Sequence, residues 1–297
     1  MKRLYGGEKV LAHQLEGALD RTSALEVRGS RWHDVASTTL RLTAGLILGL
    51  GIWQVMALIM NSNGSTLGFP YPLQTFERLG EYFFGGRSLY GHSIFEHLLA
   101  SIRRLLIAFG LASAVGIILG SILGYFNRIY QIGMVPVAVY QMIPGLAWLP
   151  VAILLFGLGD ASSMFIIFAV SSMVITIGVS SGIRMVPEVL VNAAKMSGAS
   201  SLTVFTQVLI PQAAASIVNA LRLGMSSAWR VLIAAEMVVG TGFGMGYSIQ
   251  LSRDLMDYVG SFACITVICL FGLIVDRGIL AGIERWMRSR LGMEGLS

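Results

Sequence analysis

Six stretches of this 297-residue chain are each apolar enough, over about 20 residues, to cross a bilayer as helix, and that constrains everything else about it. They fall at about 40–60, 98–125, 132–156, 163–183, 206–240 and 260–282. Lipid offers no water to a stray amide, so each span must close its backbone hydrogen bonds internally. The fold class is therefore all-α, a polytopic membrane protein with about six transmembrane helices. Charged residues make up only 12% of the chain and the mean hydropathy is +0.73. A soluble domain carries about twice that charged fraction, and a disordered chain needs the opposite bias, so both are excluded. Cys264 and Cys269 share one apolar run, which suits neither a disulfide framework nor a zinc site. No cofactor or metal is expected.

Basic residues set the orientation. With alternating sides, fourteen of the 21 lysines and arginines share a face with both termini. Only Arg78, Arg87 and Arg253 lie opposite; Arg103 and Arg104 are ambiguous, and Arg222 and Arg230 lie inside the fifth span. Both termini are thus expected to be cytoplasmic. The net charge of +5 has no interleaved aromatic pattern, so nucleic acid is not a partner; the lipid bilayer is. The predicted organisation is a cytoplasmic tail over 1–39, a first span over 40–60, a periplasmic segment over 61–97, a core over 98–282 and a cytoplasmic tail over 283–297. Val10, Leu11, Leu15 and Leu19 recur at helical spacing in the first tail; a short amphipathic helix and a frayed polar tail are both compatible with them.

Small residues and prolines mark how the spans pack. Gly116, Gly120 and Gly124 form a flat strip that admits a neighbouring backbone, chiefly for packing within one chain; Gly45 and Gly49 repeat the spacing. Pro136, Pro144 and Pro150 predict a kinked third span, because each removes a backbone donor and disfavours helix before it.

The loop over 184–207 is the most informative stretch. Pro187 suits a helix start, Glu188 meets the positive end of its dipole, and Gly198 suits the stop. Ser200 or Ser201 is placed to cap a second helix that enters the membrane. Helix, glycine turn and helix make a compact projection, with Ala193 and Ala194 as a smooth side that fits a groove on another protein.

The run Asn192-Ala193-Ala194, three residues, Gly198, nine residues, Val208, one residue, Ile210-Pro211 resembles the EAA loop of ABC importer permeases. That loop reads Glu-Ala-Ala-x3-Gly-x9-Ile-x-Leu-Pro; the spacing is kept, while Asn192, Val208 and Ile210 depart from it. Ile143-Pro144, Ala147-Trp148-x-Pro150, Phe156-Gly157-Leu158-Gly159, Ala228-Trp229, Ala235-Glu236-Met237 and Gly242-Phe243-Gly244 resemble the branch serving nitrate, sulfonate, taurine and bicarbonate uptake. The resemblance implies a MetI-like type I permease in the bacterial inner membrane, acting as a homodimer. It implies a separate ATPase subunit, two copies, binding ATP below, and a periplasmic or lipid-anchored substrate-binding protein above. It assigns ATPase coupling to Pro187, Glu188, Asn192, Ala193, Ala194, Gly198 and Pro211. Related permeases also serve neutral pyrimidine vitamin precursors, so the cargo class stays open at this point.

What is missing agrees with that division of labour. No Gly-Lys dipeptide occurs, hence no Walker A loop, and neither His-Glu-x-x-His nor Gly-x-Ser-x-Gly is present, so the chain is not expected to be an enzyme. An ion-coupled secondary transporter would need repeated halves and buried carboxylates, and the chain shows no convincing repeat. The fifth span holds Arg222, Arg230 and Glu236, costly residues that tend to face a cavity or a partner. One reading makes them, with Trp148 and Trp229, a basic-lined anion route finished by Glu236 near an outer gate. The other pairs Arg222 and Glu236 with neighbouring helices and leaves Arg230 for the path. Gly240, Gly242, Gly244 and Gly246 are expected to form a pliable outer loop. His92 and His97, at the start of the second span, are expected to be structural.

Overall fold

The structure, a computed structural model, describes residues 43–62 and 68–275 together with Arg41, Gly278 and Gly282. The N-terminal tail with its expected amphipathic helix, and the tail from 283, lie outside the described residues. The chain divides into two units, Met1–Pro72 and Leu73–Ser297. In the first, α1 (Thr43–Ser62) is an apolar span. The Trp53 indole donates to the Pro70 carbonyl at 3.0 Å, and Phe69 N donates to Asn61 Oδ1 at 2.7 Å, tying the chain after α1 back to it.

The second unit opens with α2 (Pro72–Phe83) and is built on three long helices, α3 (Ile94–Tyr125), α6 (Asp160–Arg184) and α9 (Ile210–Val239). The Gly116, Gly120 and Gly124 strip of α3 lies against Ile175, Val179 and Ile183 of α6. Both series ascend, so the two helices run parallel. A Cβ at Gly116 would sit 2.8 Å from that of Ile175, closer than side-chain carbons approach, so the strip serves packing within the chain. Helix α9 runs the other way, with Gly178 against Ala220, Gly182 against Ser216 and Gly224 against Ile175.

Parallel α3 and α6 require a return crossing, and α4 (Asn127–Met142) with α5 (Leu149–Phe156) supplies it. The pair is bent by 97° at the break around Pro144. Its start lies by the end of α6, where Arg184 donates to Asn127 Oδ1 at 3.1 Å. Its end lies by the start of α6, where Ser162 Oγ donates to the Ala152 carbonyl at 2.9 Å. The expected kinked span is thus a sharply broken one, as its prolines dictate. Beyond α9 come α10 (Met245–Asp254) and α11 (Tyr258–Leu273).

Among the described residues four helices are long and apolar enough to cross a membrane, or five with the bent pair counted as one. The sixth expected span corresponds to α11, whose described part is a shorter apolar helix. Two boundaries move. The second span starts at Ile94, where Ser93 and Glu96 form a reciprocal cap, and the fifth starts at Ser201 because no loop separates the cap at Ser200 from the membrane helix.

Candidate functional site

The long helices bring two polar constructions to opposite ends of the bundle. At the end where α6 stops and α9 starts stands the loop projection. Helix α7 (Glu188–Met196) begins after Pro187 and carries Glu188 in its first turn and Lys195 in its last, both favourable to its dipole. It ends in a Schellman turn: Ala199 N donates to the Ala194 carbonyl at 3.1 Å and Gly198 N to that of Lys195 at 3.0 Å. Gly198 has φ +83°, a conformation that costs glycine little. Ser200 then caps the next helix by accepting from Thr203 N at 3.2 Å.

The following turns, α8 (Ser201–Thr203) and a π-helical segment over Val204–Leu209, run straight into α9. Pro211, second in α9, has no amide proton for the carbonyl four residues back, and the widened turn lies just before it. Val186, Val191 and Ala194 pack with Val204 and Leu209 into one cluster. Ala194 therefore faces the projection's own interior, a correction to the smooth outer side expected of both alanines. The outward face holds Val189, Ala193 and Met196, spaced four and three residues apart along one stripe, with Val189 75% and Met196 84% exposed. Pro187, Glu188, Asn192 and Pro211 are also exposed.

At the other end, Arg104 of α3 holds four pieces of chain together. Its Nη1 donates to Glu236 Oε1 of α9 at 2.7 Å, its Nε to Asp160 Oδ1 of α6 at 2.8 Å and its Nη2 to the Phe243 carbonyl at 2.9 Å. Glu236 is fully buried; its Oε2 also accepts from Ser101 Oγ at 2.8 Å and from Gly246 N at 2.9 Å. His97, one turn before Ser101, accepts from Gly244 N at its Nδ1 at 3.0 Å and donates from Nε2 to the Leu89 carbonyl at 2.9 Å. The histidine is structural, as expected. Glu236 as the last group of a route is overturned: a carboxylate without water needs donors on every side, and here the chain provides them all.

The second half of the glycine run, Gly244 and Gly246, is a fitted strap rather than a pliable loop, while Gly240 and Gly242 are exposed with open space around them. A Cβ at Gly244 would come 2.7 Å from Arg104 Nη1 and 2.8 Å from Glu236 Oε2, so only glycine lets the backbone reach the pair. Nearby, Arg78 Nη1 donates to Asp257 Oδ2 at 2.9 Å, and Tyr90 Oη to Ser252 Oγ at 2.7 Å. Burial pushes the Tyr90 phenol above its ordinary range, so it stays a donor at neutral pH.

The other path candidates do not converge on this end. Trp148 is half-buried and stacks on Tyr140 at 4.4 Å, and Arg222 is half-buried in mid-α9. Trp229 is 8% exposed and packs on Phe271, its ring centroid 4.8 Å away. The edge of Trp229 joins Arg230 in lining a cleft of about 520 Å³ between α9 and α11. Arg230 is exposed there, with Nη1 3.2 Å from Ser226 Oγ and Nη2 3.4 Å from Ser227 Oγ. Sequence reasoning missed Arg104, Ser101 and Asp160. His97, Ser101 and Arg104, four and three residues apart on an apolar helix, were the available signal. Among the described residues no group of three or more metal-ligating side chains gathers.

Comparison with known proteins bears on this arrangement. Residues 113–289 match the family described as binding-protein-dependent transport system inner membrane component. An ABC transporter permease protein of Methanocaldococcus jannaschii is 38% identical over 189 residues, covering 63% of this chain and 70% of the relative. The taurine transport system permease protein of Escherichia coli is 28% identical, covering 86% and 92%. The bicarbonate transport system permease protein of Synechococcus elongatus is 30% identical, also covering 86% and 92%. In fold, a chain of the MetNI methionine ABC transporter in an inward-facing conformation superposes with a TM-score of 0.58 at 15% identity, covering 65% of this chain and 95% of that one.

Proposed function

This chain belongs to the binding-protein-dependent transport system inner membrane components, and on that premise we propose that it passes a small oxyanion, a sulfonate, nitrate or bicarbonate, across the bacterial inner membrane. It is the permease subunit of an ABC importer, a multi-span membrane protein whose family works with an ATPase and a substrate-binding protein. The finer assignments are ours. ATP is bound and hydrolysed by the partner, and this chain catalyses nothing. Two copies face each other, and both termini lie in the cytoplasm.

The observation that carries the reading is α7. It projects from the end of the bundle opposite the clamp formed by Arg104, Glu236 and Asp160, and its apolar stripe of Val189, Ala193 and Met196 is turned away from its own core. A rigid Schellman turn and an unbroken helix into α9 make it a lever: force on α7 passes along α9 to the far end. The cargo class is supported by the taurine and bicarbonate relatives and by an arginine exposed in mid-span.

Ala193→Arg tests the docking face without touching the core, because Ala193 is exposed where Ala194 is not. Burying an unpaired charge in a contact costs several kcal/mol. The variant should insert and stay folded but lose the ATPase on co-purification. A complex that survives with transport intact would show that the ATPase docks elsewhere.

A further inference from the structure

We propose that Arg230 and Ser226, which line the cleft between α9 and α11, form an oxyanion subsite together with the Ser227 hydroxyl that the guanidinium also touches. It rests on the importer reading and specifies where the cargo's charge is met.

Depth comes first. Arg230 lies nine residues before the end of α9, about 13 Å along the helix and more than two turns from the nearer end. A guanidinium at that depth is costly unless it faces a partner or a water-filled cavity. The chain shows how it treats an arginine it means to neutralise: Arg104 receives two carboxylates and a carbonyl. Arg230 makes no ion pair among the described residues; its contacts are two serines of its own helix.

Those serines are donors in waiting. Elsewhere in the spans, the Thr176 and Thr266 hydroxyls turn back to carbonyls four residues earlier. Ser226 and Ser227 instead accept from the guanidinium, and each keeps its own proton to give. A planar fork of N–H groups flanked by two O–H groups matches the several acceptor oxygens of a sulfonate, nitrate or bicarbonate. Among the described residues, the rest of the cleft, Trp229, Ile233 and Ile268 among it, offers no competing anion. Contacts this few hold a passing ion weakly enough for release.

The chain carries its own reporter. Cys269 is exposed and lines the same cleft, whereas Cys264 is buried. In the ATPase–permease complex in liposomes, Cys269 would be labelled by anionic sulfonatoethyl methanethiosulfonate and by its cationic trimethylammonium counterpart. Rates are normalised to a free thiol, with Cys269→Ser as the blank. The anionic reagent should be favoured about tenfold, since a fixed charge in a low-dielectric cleft concentrates counter-ions by at least that factor. The preference should vanish in Arg230→Gln, and millimolar nitrate or taurine should slow labelling of the native complex. Ser226→Ala with Ser227→Ala should weaken that protection while leaving the charge preference in place. Equal rates for the two reagents, no change in Arg230→Gln, or no labelling at all would overturn the subsite. If charge-selective labelling holds but no oxyanion is taken up, the proposed cargo fails and the subsite stands. If ATP-driven oxyanion uptake holds without charge selectivity, the subsite alone fails.

Discussion

Two of the arginines within the spans of this protein lie under opposite regimes. Arg104, 3% exposed, is met by groups from three other parts of the chain; among the described residues Arg230, on the face of α9, is met only by hydroxyls about one turn away. A charge moved out of water must be answered, and the chain has answered one of them itself. The answered charge fixes geometry: it holds the end of α9, the start of α6 and the strap before α10 to α3. The unanswered one is, in our proposal, left for something that comes and goes. Charge within a membrane protein is thus no indicator of function until its partners are counted.

The difference should appear first in stability. Glu236→Leu leaves Arg104 buried beside a single, exposed carboxylate, and breaking such a pair costs about 3–5 kcal/mol. Thermal unfolding of the purified complex in detergent should show the largest loss here. Arg104→Leu in the same protein should restore part of it, because no lone charge then remains. Gly244→Ala comes next. At φ +144° and with its Cβ against the ion pair, it should cost about 1–3 kcal/mol by the same assay. Asp160→Asn is smaller, about 0–1 kcal/mol, because that carboxylate is 56% exposed and its pairing competes with water. Arg230→Gln should be smallest, within about 0.5 kcal/mol, as for a surface substitution away from any network. If Arg230→Gln destabilised as Glu236→Leu does, the contrast between the two regions would collapse.

Sequence alone carried much of this architecture, and its failures share a cause. Apolar runs, Gly116–Gly120–Gly124 and Pro144 located the spans, their packing strip and the break, since each is a local property of chain and bilayer. Pro187, Gly198 and Ser200 located both ends of α7 and the cap that follows, for the same reason. The clamp is not local. Arg104 and Glu236 are 132 residues apart, and counting arginines as loop charges for orientation left Arg104 unassigned. Glu236 was visible as an intramembrane acid, yet helical periodicity gives its angle on α9 and not what stands opposite. Gly244 and Gly246 looked pliable because the side chains they make room for come from other helices. Ala194 looked outward because only the fold sets Val204 behind it.

The central claim is that the clamp serves the fold while Arg230 serves the cargo. The direct measurement is ATP-driven, binding-protein-dependent oxyanion uptake into proteoliposomes, expressed per assembled complex, for the native protein and Arg230→Gln. The account predicts that the variant assembles fully and that its ATPase still responds to the loaded binding protein. Uptake should fall about tenfold, equivalent to one lost charge-assisted contact of about 1.4 kcal/mol. Native uptake per complex in Arg230→Gln would contradict it.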